Sequence, residues 1–407
     1  MILPQYVSYA ISKIEDSGFS AYVVGGCVRD SLLEKTPADW DITTSATPQE
    51  IQQIFQHQKV ISTGIKHGTV TVIIDCFPLE ITTFRIDGDY KDNRHPEKVT
   101  FSTNIEDDLS RRDFSVNAMA YSHQSGILDP FGGQKDLKCG IIRAVGDPKV
   151  RFREDALRIM RAIRFAAQLD FGIEIETFRA METCANLLEN ISAERITSEF
   201  SKLLITNTPG DILNKTFNIT SRLFFGETSK NDLEGFASIL DNILCDTGLR
   251  LAAYLILAAS RLDKDCLTLA KSFFDRMKFP NNIKSLVLSV LTHWNGPLPD
   301  NRISVRKMIS QTGFDTFQNL LTIKSIFAPE QTTPTKTIVD EIISNDDCFS
   351  FKQLDVTGND LKDTFGLSGS MIGTALNELL DAVIEERCEN KKDTLMNYFK
   401  NVPDNTH

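Results

Sequence analysis

The stretch Ala21–Thr44, AYVVGGCVRDSLLEKTPADWDITT, leaves the chain few ways to fold. Val23 and Val24 read as the end of a buried strand, and Gly25-Gly26 lets backbone N–H groups approach a phosphate at the start of a helix. Arg29 adds charge one turn in. Downstream, Asp39-Trp40-Asp41 reads as strand, with both carboxylates projecting one way while Trp40 turns inward. Two carboxylates on one rigid face suit Mg²⁺. A bare Asp-x-Asp pair also fits a surface turn, but the glycines and Arg29 at this distance favour a metal-and-phosphate site.

A chain of 407 residues is too long for one core and divides into two to four domains. Strand patterns concentrate before about residue 145 and helical patterns after it. The formal charge of −11 is awkward for a protein that handles nucleic acid. The average hides Ile141–Phe165, where seven Lys or Arg face three Asp or Glu, whereas residues 166–407 carry 24 basic and 33 acidic side chains. A polyanion is therefore expected near 141–165. The eight cysteines are scattered without Cys-x-x-Cys pairs, and no His cluster has metal-ligand spacing. Reduced thiols, no signal-peptide pattern and no 18-residue apolar run predict a cytoplasmic protein with no membrane partner.

Helices are predicted over 3–17 and 27–34, and strands over 21–25 and 39–43. Thr47-Pro48-Gln49-Glu50 supplies an N-cap, a first-turn proline and a capping-box acid for a helix to about His57. Gly68–Asp75 and Leu79–Ile86 alternate as a hairpin, with Glu80 either a solvated strand residue or a third carboxylate beside the aspartates. Asp87–Lys98, DGDYKDNRHPEK, is a polar loop close to the predicted site. SRRDFSVNAMAY, from Ser110, reads as a helix with Arg111 and Arg112 at its start. Cations are disfavoured there, so a triphosphate or a salt bridge to Asp107 or Asp108 must compensate.

From Pro148 one helix is expected through VRFREDALRIMRAIRFAAQL, with Phe152, Ala156, Ile159, Ile163 and Ala166 forming its core stripe. Asp155 and Arg158 are neighbours on one side, while Arg161 and Arg164 each step about 60° further round. Later residues offer helices and little chemistry. Gln331–Lys336 is a Pro/Thr-rich boundary, and Gly366, Gly369 and Gly373 serve either tight turns and close helix packing or an approach to RNA.

An acid pair, a glycine turn and clustered arginines describe nucleotidyl transfer. Mg²⁺ at Asp39 and Asp41 would bridge an attacking hydroxyl and the α-phosphate, while Gly26, Arg29 and Arg112 hold the triphosphate. An ionised Asp only accepts and an Arg only donates, so Asp155 with Arg158 complements cytosine and adenine. Uracil and guanine present the reverse pattern, and each mispaired group costs about 1–3 kcal/mol. The alternative for this pair is a simple intrahelical salt bridge.

GGCVRD (Gly25–Asp30), Asp39-Trp40-Asp41, RRDFSVNA (Arg111–Ala118) and EDALRIMRAIRF (Glu154–Phe165) occur in one order, and on them the chain resembles the class II tRNA nucleotidyltransferases, the CCA-adding enzymes. The resemblance runs from the first strand nearly to the end. It implies an α+β fold: a polymerase-β-like head with a mixed sheet over 1–145, then an all-α neck (146–205), body (206–330) and tail (337–407) that grips the tRNA elbow. It further implies nucleotide contacts at Gly25, Gly26, Arg29, Arg112, Asp155, Arg158, Arg161 and Arg164, metal at Asp39 and Asp41, and tRNA, CTP and ATP as partners. Bacterial poly(A) polymerases share the motifs, but the pattern from Gly358 through Asn390 resembles the CCA-adding tail. CC-adding enzymes lack most of the loop that is complete here as FRIDGDYKDNRHPEKVTF. CCA addition and the A-adding half-reaction both remain open, as, more remotely, does an inert tRNA-binding protein. No histidine precedes an aspartate, so the family's His-Asp phosphohydrolase appendage is absent.

Overall fold

The fold is that of a computed structural model, which describes residues 1–87, 99–229 and 232–401. Two compact units emerge: Met1–Ala237 with Ser272–Phe279, and Ser238–Lys271 with Pro280–His407. The predicted loop Asp87–Lys98 lies, except for Asp87, outside the described residues. Its flanks, β6 (Arg85–Asp87) and β7 (Val99–Phe101), pair antiparallel.

The first unit opens with α1 (Gln5–Glu15) and β1 (Ala21–Val24), then α2 (Gly26–Leu32) and β2 (Asp41–Thr44). The capping box between Thr47 and Glu50 forms as expected and starts α3 (Pro48–Ile54). A seven-stranded mixed sheet is built from β3 (Lys59–Ile61), β4 (Thr69–Ile74), β5 (Phe77–Thr83), β8 (Ala120–Ser122) and β9 (Gly126–Leu128) with β1 and β2, in the order β3-β4-β5-β2-β1-β8-β9. The hairpin β4–β5 turns at Asp75 and Cys76, both at positive φ, one residue earlier than predicted. β2 pairs antiparallel with β1 and parallel with β5.

The helix expected from Ser110 does not form. Asn104 caps an earlier one, α4 (Ile105–Ser110), and Arg111 ends it. Residues 115–117 make a single 3₁₀ turn, and Ala120 pairs with Val24 in the sheet. Sheet pairing outweighs the local helical period. The two arginines thus follow the C-terminal end of a helix, where its dipole favours cations.

The neck helix is broken in two: α6 (Pro148–Glu154) and α7 (Leu157–Leu169). Asp155 is extended at φ −139°, and its carboxylate accepts from Leu157 N at 3.1 Å. A short polar side chain that bonds nearby backbone competes with the helix at that point. The apolar stripe survives the break, since Phe152, Ala156, Ile159, Ile163 and Ala166 are all buried. α8 (Ile175–Cys184) and α9 (Ala193–Leu204) pack on α6 and α7 respectively.

In the second unit the apolar segment Leu249–Arg261 lies in the helix Thr247–Leu262, capped by Asp246. Gln331–Lys336 is not a linker: it lies inside the helix Pro329–Ser344, where Thr332 and Thr335 are buried. Pro329 occupies a permitted first-turn position. Burial of Val339 and Ile342 further along the same helix offsets the bond lost at Pro334. The final core gathers Leu354, Leu361, Leu379 and Phe399 around the helix Ser370–Ile384.

Candidate active site

Strand register brings the catalytic candidates together. Val24, the last residue of β1, lies opposite Asp41, so the acid stands beside the Gly25-Gly26 turn. On its other side Glu80 is Asp41's parallel partner. β2 begins at Asp41, two residues later than predicted, so Asp39 precedes the strand; Asp39 and Asp41 are exposed on either side of Trp40, which is 8% exposed. Gly25 adopts φ +79°, and a Cβ there would sit 3.0 Å from Arg112 Nη1. The turn therefore needs glycine on two counts, backbone hand and space.

The acidic side of this site is electrostatically unbalanced. Protein crowding around Asp41, then the charge of Asp39, then that of Glu80, push its carboxyl up to about 6, and Arg112 works in the opposite direction. Among the described residues no three His, Cys, Asp or Glu side chains converge tightly enough to hold a metal alone. Mg²⁺ usually needs only one or two carboxylates plus phosphates and water, so the pair fits such an ion. Neighbouring Cys27 is no nucleophile: burial pushes its thiol up to about 11, and it donates to Val24 O.

The basic side is more committed than its sequence indicates. Arg29 is buried and spends its donors on Asp30 and on Asn117 Oδ1, at 2.7 Å each. Arg111 and Arg112 both pair with fully buried Asp108, at 2.6 and 3.1 Å. Burial opposes the charge of Asp108, but the two guanidiniums outweigh it and hold its carboxyl below the ordinary range. Arg112 Nε is buried without a hydrogen-bond partner.

Asp155 and Arg158 do not pair with each other. Arg158 donates to Glu154 (2.7 Å), Arg151 O (3.1 Å) and Arg111 O (2.8 Å). Asp155 receives Arg195 of α9, 2.8 Å from Nη2 to Oδ2 and 3.4 Å from Nη1 to Oδ1. Arg161 pairs with Asp113 at 2.7 Å and Arg164 with Glu199 at 2.6 Å. The guanidiniums of Arg29, Arg161 and Arg164 all lie over the ring of buried Phe165, at 5.3, 5.1 and 4.0 Å from its centroid. Much of the basic surplus of 141–165 is thus neutralised inside the protein.

The salt bridge from Arg111 and Arg112 to Asp108, one of the two alternatives the sequence offered, forms, while Asp113, Asn117, Phe165, Arg195 and Glu199 were missed as site residues. Three carried a signal. Glu199 interrupts the apolar face Ile196–Phe200–Leu203 of α9, Asn117 is an amide inside the apolar-rich run FSVNAMA, and Asp113 immediately precedes that run. Charged or amide groups in such places require partners.

Residues 21–143 match the family described as Poly A polymerase head domain, 170–215 an RNA and SrmB-binding site of polymerase A, and 260–399 a tRNA nucleotidyltransferase domain 2. A CCA-adding enzyme of Leuconostoc mesenteroides is 34% identical over 394 residues, covering 96% of this chain and 94% of that one. Another, from Lactobacillus helveticus, is 35% identical over 403 residues, or 96% of each chain. The solved structure of the Bacillus stearothermophilus CCA-adding enzyme in complex with CTP aligns at TM-score 0.75 and 30% identity over 98% of both chains.

Proposed function

The chain belongs to the class II tRNA nucleotidyltransferases, the CCA-adding enzymes, and from that premise we propose that it joins C, C and A to the 3′ end of tRNA from CTP and ATP without a template. The observation that carries the reading is the register placing Asp41 between the glycine turn and Glu80. Asp39 and Asp41 would hold Mg²⁺, which when bound neutralises charge at the reacting phosphate and on the attacking and leaving oxygens. Glu80 adds field as the third carboxylate. Gly25 and Gly26 let the backbone approach the triphosphate, and Arg112 and Arg29 supply its positive surroundings. Asp155 and Arg158 take the donor and acceptor edges of cytosine or adenine, each presented by its own protein partners. Arg158 has three of its five N–H donors committed among the described residues, which leaves two for a base. Arg161 and Arg164 reach the nucleotide by sharing donors with Asp113 and Glu199.

Head 1–145 and neck 146–205 serve as functional parts, but the expected division between body 206–330 and tail 337–407 falls inside the helix Pro329–Ser344, so the tRNA-elbow role is assigned to the residues beyond that helix. In the tail, Cβ atoms at Gly366, Gly369 and Gly373 would meet nothing within 4 Å. Gly366 at φ +70° and Gly369 at φ +59° serve the tight turns that were one alternative in the sequence, and the open space argues only against close helix packing. Eight free cysteines fit the cytoplasm, and among the described residues no helix is long and apolar enough to cross a membrane.

The test offers tRNAs ending before the first C, after C and after CC, with CTP alone, ATP alone or both. Two C additions followed by one A are expected. Addition of A to the CC-ended tRNA with no use of CTP would reduce the enzyme to the A-adding half-reaction.

A further inference from the structure

Arg195 sits in the first turn of α9, where the helix dipole disfavours a cation. Its own helix offers an acid one turn on, Glu199, at i, i+4 spacing, though in the less favourable base-before-acid order. That acid is taken by Arg164, with Arg161 at 3.9 Å, and the Arg195 guanidinium reaches across to Asp155 instead. The helix is anchored by buried Ile196, Phe200 and Leu203 and packs on α7. Arg195 is therefore delivered to the break between α6 and α7 by a rigid element.

We propose that Arg195 is a positioning residue for base choice: its two-pronged hold on Asp155 fixes the carboxylate that receives the exocyclic amine of cytosine or adenine. This rests on the reading of Asp155 and Arg158 as the base-selecting pair. The geometry makes the need plain. Asp155 lies outside both helices in extended backbone, so no helical turn holds its side chain. Arg158, by contrast, is locked by three bonds from its own guanidinium. Donor and acceptor work as a pair only if both are fixed. On Asp155 the fixing falls to Leu157 N on Oδ1 and Arg195 on both oxygens. A carboxylate has about four acceptor sites, so these contacts leave one for a base. A planar guanidinium sets the carboxylate plane through two parallel bonds, which an ammonium cannot do.

Selectivity is read as the kcat/KM ratio of CTP over UTP on tRNA lacking CCA, and of ATP over GTP on CC-ended tRNA. Arg195→Gln is expected to raise KM for CTP and ATP about tenfold and to lower both selectivity ratios by about tenfold, with kcat changed less, as for the loss of one charge-assisted hydrogen bond. Arg195→Lys should keep the charge, fold, and still lose part of the selectivity. Asp155→Asn in parallel tests the underlying reading. If Asp155→Asn relaxes selectivity and both Arg195 variants keep the wild-type ratios, the pair is merely structural and the proposal is overturned. If Asp155→Asn itself leaves selectivity intact, the base-selecting role of Asp155 fails, and the proposal with it. Should Arg195→Gln not fold, wild-type selectivity in Arg195→Lys alone overturns the need for a two-pronged hold.

Discussion

Around Asp41 three carboxylates crowd one end of the sheet, and Arg112, the guanidinium that opposes them, also serves Asp108. A divalent cation would offset that imbalance. Asp41→Asn is accordingly expected to lower nucleotide incorporation by at least roughly 100-fold, because metal-supplied charge stabilisation is worth several kcal/mol. Binding of tRNA, measured by gel shift, should persist. Glu80→Gln separates a field from a ligand. It is expected to leave kcat within about tenfold at saturating Mg²⁺ and to raise the Mg²⁺ needed for half-maximal rate severalfold, as for one nearby partly solvated charge. A collapse as deep as that of Asp41→Asn would make Glu80 a direct ligand. These residues were legible because the information is local: two glycines, one arginine and two acids at strand spacing. Asp108 was legible for the same reason, three and four residues before Arg111 and Arg112, whereas Asp113 and Glu199 meet Arg161 and Arg164 only through the fold.

The neck elements join the head through Asp113, which follows α4 and meets Arg161 on α7. Burial works against its charge, but Arg161's guanidinium and hydrogen bond prevail, with further help from Arg158 and Asn117, and hold the carboxyl down to about 2. Its ordinary value is about 3.9. The folded state therefore binds this proton more weakly than the unfolded chain. The resulting stability is complete above about pH 5 and is lost as pH falls toward 2. Asp113→Asn is expected to lower unfolding free energy by about 2–3 kcal/mol at pH 7. In urea melts the gap to wild type should narrow as pH drops from 5 to 3. A gap independent of pH would mean the loss is one of packing and not of charge. The helical period of the neck was readable, as the buried stripe shows, but the break was not. Ala156 and Leu157 keep the apolar rhythm going, and only the cap on Leu157 N and an arginine 40 residues away reveal what Asp155 does. SRRDFSVNAMAY misled for a related reason: its spacing is helical, yet the pairing of Ala120 with Val24 and Tyr121 with Val23 claims its end for the sheet.

Across the whole chain, whose net charge is −11, arginines organise elements as well as face solvent. Arg306 shows this in the second unit. It is 4% exposed on the helix Arg302–Thr312 and donates to Cys348 O at 2.8 Å, Val383 O at 3.1 Å and Ile384 O at 3.3 Å. The latter two are among the terminal carbonyls that the helix Ser370–Ile384 cannot satisfy itself. One guanidinium thus ties the core around Val305 and Ile309 to the core around Leu361 and Leu379. Arg306→Met keeps most of the side-chain volume while removing the donor from Cys348 O and Ile384 O; Val383 O keeps Glu386 N at 3.1 Å, and each buried unpaired group costs about 1–3 kcal/mol. The expected result by hydrogen-exchange mass spectrometry is faster exchange across 346–354 and 370–384, with the strands at 21–24 and 41–44 unchanged. Proteins open in cooperative units of differing stability, so the two compact units should respond unequally. Acceleration of the head strands to the same degree would show that the chain opens as one unit, and Arg306 would then contribute to global stability instead of to the tail alone.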